Sequence, residues 1–255
     1  MSGARVRAAM RHACAALVLC VIVAAPACAE VWAYIDGEGR AHFATRKQDD
    51  RYQLFFKGGS SLDLPRADAA QAEARAALER SLLYRRVVDH PNARRYAPLI
   101  ERHASANGLD AALLKAMIAV ESGYDPAAVS DKGAIGLMQV LPATGERYGV
   151  AADARHSVVQ KLMDPVTNLR IGARHLRDLL MVFAGDRTLA LAAYNAGEQA
   201  VRQYGNQVPP YPETREYVEL VRQFEGLYRP PPAPPPPPPR PTLDLPGKRS
   251  APPPS

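Results

Sequence analysis

The chain has 255 residues, 32 Lys and Arg against 26 Asp and Glu, and a formal net charge of +6, a length that accommodates one main domain with accessory segments. Residues 1–29 carry +3 through Arg5, Arg7 and Arg11, and residues 229–255 carry +3 through Arg229, Arg240, Lys248 and Arg249 against Asp244, so the middle is neutral. A neutral body excludes a basic nucleic-acid binder, and cysteines confined to Cys14, Cys20 and Cys28 exclude a disulfide framework in the remainder.

Residues 1–29 read as a secretory signal peptide, with a basic start, an apolar run over 13–25 and the small-residue end Ala27-Cys28-Ala29. Cleavage after Ala29 leaves no cysteine. Lipoprotein processing at Cys28 is the alternative, but Pro26 and the lack of Leu at Ala25 make a poor lipobox.

Residues 30–60 read as a small β-module. Val31 to Ile35 and His42 to Thr45 flank the turn Asp36-Gly37-Glu38-Gly39, and Tyr52 to Phe56 offers a third strand. The pattern resembles the short module called DUF4124 that precedes many secreted bacterial domains. Trp32 and Tyr34 either fill its mini-core, the preferred reading, or form a binding patch.

Residues 61–92 read as a connecting helix with Ala77, Leu78, Leu82 and Val87 at helical spacing, broken by His90-Pro91-Asn92. The main domain is expected over 93–228 and is mostly α. Helices are predicted over 94–106, closed by Asn107-Gly108; from the cap Asp110 to Ser122-Gly123; and over 166–183, 187–195 and 217–228. His90, His103, His156 and His175 lack paired ligand spacing, so neither a metal nor a cofactor is expected. Residues 229–255 are a Pro-rich tail. From Pro230 on, 14 of 26 residues are proline, which excludes helix and packed sheet and leaves a spacer or a ligand for another protein.

The most informative stretch is 113–139. Leu114, Met117 and Ile118 precede Glu121 by seven, four and three residues, so all four share one helical face. Glu121 then sits at the edge of a core and at the negative end of its helix. Burial and the dipole both favour a raised pKa, which suits a general acid. Gly133 to Gln139 packs two glycines and apolar residues into a run suited to a backbone folded closely around a pocket. A second carboxylate would come from Asp125 or Asp131, but both look like turn residues, so Glu121 is expected to stand without a partner anion.

Glu121-Ser122, Gly136-Leu137-Met138-Gln139 and Ala193-Tyr194-Asn195-Ala196-Gly197, with Pro212 to Val218, resemble the motifs of the SLT-type lytic transglycosylases. The resemblance runs from about Tyr96 to Tyr228. It implies a lysozyme-like, mainly α catalytic domain, acting on peptidoglycan in the periplasm as a monomer without cofactor. Glu121 corresponds to the catalytic residue. Ser130, Gln139, Tyr194 and Tyr217 correspond to substrate-binding residues, and Ser122, Met138 and Asn195 to supporting ones. Leu141 stands where the family often has Met.

The resemblance further implies that Glu121 first protonates the oxygen between N-acetylmuramic acid and N-acetylglucosamine, with help from the substrate's N-acetyl group. It then takes a proton from the muramic acid 6-hydroxyl, which closes a 1,6-anhydro ring. A goose-type hydrolase using water and a second carboxylate is one alternative. A non-catalytic wall-binding protein using the β-module and the tail, which is also a candidate contact for wall-associated or secretion proteins, is the other.

Overall fold

The structure is a computed structural model that describes residues 29–37, 41–58 and 88–229. The predicted signal peptide, most of the connecting helix and the Pro-rich tail lie outside these residues. The chain divides into two compact units, Met1–Arg86 and Val87–Ser255.

In the first unit, β1 (Ala29–Ile35), β2 (Ala41–Ala44) and β3 (Gln53–Gly58) form an antiparallel sheet in the order β2-β1-β3. Val31, Ala33, Ala44 and Phe55 are buried, and the register sets Ala44 opposite Trp32, on the face of Trp32 rather than that of Ala33. Trp32 and Tyr34 alternate to the face opposite Ala33 and are half-buried, Trp32 beside the buried Ala44 and Tyr34 with its ring centroid 4.8 Å from that of the buried Tyr52. Tyr34 stacks on His42 with centroids 4.6 Å apart, and the Arg51 guanidinium lies 4.5 Å from its centroid.

The second unit is helical: α1 (Pro91–Ala106), α2 (Ala111–Ser122), α3 (Pro142–Arg147), α4 (Val158–Met163), α5 (Pro165–Val182), α6 (Arg187–Ala196), α7 (Glu198–Gln203) and α8 (Pro212–Tyr228). The mainly α expectation holds. His90-Pro91 starts α1, three residues before the predicted 94. Pro91 occupies the first turn, where its missing N–H is no loss, and the His90 ring accepts from the Asn92 N–H at 3.1 Å. Helix α8 likewise begins at Pro212, five residues before the apolar spacing becomes visible at Tyr217. Helices α3, α4 and α7 have six residues each, too few to display a periodic stripe.

Helix α2 is the centre of this unit. The Asp110 carboxylate accepts from the Ala112 N–H at 2.9 Å, and Gly123 ends the helix at φ 56°. Leu113, Leu114 and the four residues Ala116 to Ala119 are all buried, as expected of a helix covered on nearly every side. It packs chiefly on α8, whose Val218, Val221 and Phe224 face inward, while α5 and α6 close the core with Ile171, Leu176 and Leu191. Among the described residues no helix is long and apolar enough to cross a membrane.

Candidate active site

Helix α2 delivers Glu121 to the edge of this core in its last turn. The next residue fastens that turn to the glycine-rich loop: the Ser122 hydroxyl lies 2.9 Å from the Leu137 carbonyl and 3.2 Å from that of Ile118. The loop folds back on itself through bridges between Ile135 and both Val129 and Val140, and Gly136 donates to the Ala128 carbonyl at 2.8 Å. Gly136 sits at φ 73°, and a Cβ there would lie 2.6 Å from Asn168 Nδ2 and 2.9 Å from the Leu162 carbonyl. Glycine is required by both conformation and space.

Asn168, in the first turn of α5, clamps this loop. It is 1% exposed, accepts from the Met138 N–H at 2.8 Å, and donates to the carbonyls of Ile135 at 2.7 Å and Leu162 at 2.8 Å. Met138 is fully buried against Gly172, so it is core rather than cleft lining.

Glu121 is half-buried, and desolvation raises its pKa from 4.5 to about 7. Tyr217, from α8, opposes that shift. Its hydroxyl is buried and makes no hydrogen bond of regular geometry among the described residues, yet it lies close enough to the carboxyl to favour the anion. Glu213, at the start of α8, pushes the pKa further up. The expectation that no anion approaches Glu121 is therefore corrected, although Glu213 is exposed and pairs with Lys132 of the loop at 3.3 Å. Asp125 and Asp131 do not supply the anion. Both are exposed, and Asp125 accepts from the Ala127 N–H of its own turn.

Tyr194 also lies within electrostatic reach of Glu121. Burial and the Glu121 charge raise its pKa well above the usual value, and its hydroxyl donates to the Met138 carbonyl at 2.8 Å. Gln139 is half-buried at φ 46°. Its amide nitrogen donates to the carbonyls of Gly136 and Ala128, and its side-chain oxygen has no partner among the described residues. Asn195 accepts from the Thr214 hydroxyl at 2.8 Å, joining the end of α6 to the start of α8. Ser130 stands apart: its hydroxyl accepts from the Ala134 N–H at 3.0 Å and serves its own loop.

The structure thus brings Glu121, Tyr194 and Tyr217 together. The sequence reading missed Asn168 and Glu213. An Asn on the buried face of an otherwise apolar helix was the available signal for the first, and nothing local marks the second. Two substitutions should move the alkaline limb of a pH–rate profile in opposite directions. Tyr217→Phe removes a group that favours the anion and shifts it up by roughly 0.5–1 unit; Glu213→Gln removes a like charge and shifts it down by a similar or smaller amount. Coincident profiles for the two variants would contradict the assigned electrostatics.

The profile of the transglycosylase SLT domain matches residues 98–215. The soluble lytic murein transglycosylase of Escherichia coli (strain K12) is 32% identical over 147 residues, covering 52% of this chain and 23% of that protein. Membrane-bound lytic murein transglycosylase C of Haemophilus influenzae (strain PittGG) is 33% identical over 118 residues, covering 43% and 33%. The solved 70 kDa soluble lytic transglycosylase of Escherichia coli superposes with a TM-score of 0.48 at 30% identity, covering 62% of this chain and 27% of that one. The chain thus spans a third or less of the length of these relatives.

Proposed function

From the premise that residues 98–215 are a transglycosylase SLT domain, we propose that the protein is a periplasmic lytic transglycosylase. It cleaves the β-1,4 bond between N-acetylmuramic acid and N-acetylglucosamine in peptidoglycan and leaves 1,6-anhydro ends. The observation that carries this reading is Glu121, a half-buried acid raised to about 7 beside Tyr194 and Tyr217. Near neutral pH both protonation states are populated, so one side chain has the proton to give and the basicity to take it back.

In the first step Glu121 donates its proton to the glycosidic oxygen. Its carboxylate, stabilised by the Tyr217 hydroxyl, then accepts the proton of the muramic acid 6-hydroxyl as that oxygen attacks the anomeric carbon. Gln139 offers its side-chain oxygen to a sugar N–H or O–H.

The proximity of Glu213 favours one other reading, hydrolysis with Glu213 as the second carboxylate. Its exposure and its pairing with Lys132 make it a poor base for holding a water. Digestion of purified sacculi followed by mass spectrometry separates the readings: anhydro-muramyl ends are expected, reducing ends indicate hydrolysis, and no released fragments would overturn both.

A further inference from the structure

Helix α5 has two faces with different uses. Asn168, Gly172, Leu176 and Leu179 are buried, and the first two hold the glycine-rich loop through Met138. The opposite face carries a continuous outer stripe. Arg170, Arg174, Arg177 and Met181 follow Val166 by four, eight, eleven and fifteen residues. At 3.6 residues per turn that spacing confines all five to about 80° of the helix circumference, along roughly 22 Å of its length. Arg170 and Arg174 are exposed and Arg177 is half-buried. The stripe ends in apolar side chains, Val166 at 52% exposure and Met181 at 66%.

Charges on a surface helix are ordinarily a solvated face, but this row is not arranged as one. Arg170 and Arg174 have no carboxylate partner among the described residues, and Arg177 pairs only with its neighbour Asp178. Like charges three and four residues apart weaken a helix, so the row costs stability that an external anion would restore. The cations also continue onto α1, which packs beside α5. Burial, and then the charges of Arg102 and Arg170, lower the pKa of His103. Both arginines therefore lie near that ring, and the exposed Arg102 adjoins the stripe. Helix α1 carries Arg94, Arg95 and Arg102 against Glu101, whereas α8 carries Glu213, Glu216, Glu219 and Glu225 against Arg215 and Arg222. In a body that is neutral as a whole, cations are gathered on α1 and α5.

The chemistry of the stripe selects its partner. Guanidinium groups match phosphate oxygens in pairs. A polynucleotide would satisfy them but leave Val166 and Met181 in water. A lipid surface offers phosphates and, just beneath them, an apolar layer for both ends of the stripe. The outer side of one helix is convex, which suits a deformable plane. We propose that this stripe docks the domain peripherally on an anionic phospholipid surface, with Arg102, Arg170, Arg174 and Arg177 on lipid phosphates and Val166 and Met181 at the headgroup–acyl boundary. The glycine-rich loop packs on the other side of α5, so docking leaves it clear of the lipid. The docking requires no particular reaction at Glu121.

Co-sedimentation of the full chain with vesicles of phosphatidylethanolamine and phosphatidylglycerol, against vesicles of phosphatidylcholine, tests the proposal. Residues 1–29 and 229–255 each carry +3 and attract the same anionic vesicles, so two double variants of equal net charge carry the comparison. Arg170→Gln with Arg174→Gln should weaken binding to the anionic vesicles about twenty-five-fold, since one basic residue near such a surface is worth about fivefold. Arg155→Gln with Arg222→Gln, both exposed and off the stripe, should weaken it less than about threefold, because charges held beyond a Debye length of the lipid are screened. Equal losses in the two double variants, or wild-type binding that does not distinguish the two kinds of vesicle, overturn the proposal. Depth gives a second readout. Tryptophan emission of Met181→Trp should shift to the blue on anionic vesicles and be quenched by brominated acyl chains; emission unchanged from that in buffer also overturns it.

Discussion

Glu121→Gln is expected to lower turnover of peptidoglycan at least about a thousandfold, within the span that a general acid–base group contributes, and at the same time to make the protein more stable at alkaline pH. The two effects share one cause. Folding raises the Glu121 pKa from 4.5 to about 7, so the folded state holds this proton more tightly than the unfolded chain does. Between those pH values unfolding releases a proton, and stability falls as pH rises. Above pH 7 the full difference of about 2–3 kcal/mol opposes folding, discounted for the partial exposure of the side chain. Glutamine is neutral throughout and escapes that cost. Thermal unfolding should place the variant above the wild type at pH 8 and level with it near pH 4. Retained turnover would remove Glu121 from the chemistry; a variant less stable than wild type at pH 8 would contradict its burial as a charge.

Asn168→Ala should be the most damaging single truncation away from Glu121, at roughly 3–5 kcal/mol. The side chain satisfies the Met138 N–H and the carbonyls of Ile135 and Leu162 at once. Removing it leaves the Met138 N–H and the Leu162 carbonyl unpaired, takes from the Ile135 carbonyl the second of its two donors, the other being the Val140 N–H at 2.9 Å, and releases the loop to which Ser122 ties the end of α2. Since whole domains are stable by only about 5–15 kcal/mol, the urea midpoint should drop steeply. Asn92→Ala is the control. Asn92 donates one hydrogen bond from a half-buried position, to the Tyr124 carbonyl at 3.0 Å, and its loss should amount to about 1 kcal/mol. Similar midpoints for the two variants would show that Asn168 is not the clamp described.

The environment of Glu121 was legible because its causes are local. A helix with apolar residues three, four and seven positions back, closed by a glycine, dictates that the acid stands at a core edge. The first of the two expected causes of its raised pKa, burial, is the dominant one. Its companions were legible only through the resemblance, because Tyr194 and Tyr217 reach it from α6 and α8, far along the chain. Asn168 escaped notice for the same reason: its three hydrogen bonds join segments whose proximity no periodicity announces. Glu213 was hidden in the exposed first turn of α8, where polar residues look like any solvated helix start. In the β-module the strands followed from alternation and turn chemistry, and Trp32 and Tyr34 share their face with the buried Ala44 and Tyr52.

The central claim is that folding holds one carboxylic acid near neutrality. It is tested most directly by ¹³C NMR titration of the Glu121 carboxyl, assigned by its loss in Glu121→Gln. A midpoint near pH 7 is predicted; a midpoint near the ordinary 4.5 would mean that no proton is available for donation at working pH, and the proposed chemistry at Glu121 would fall with it.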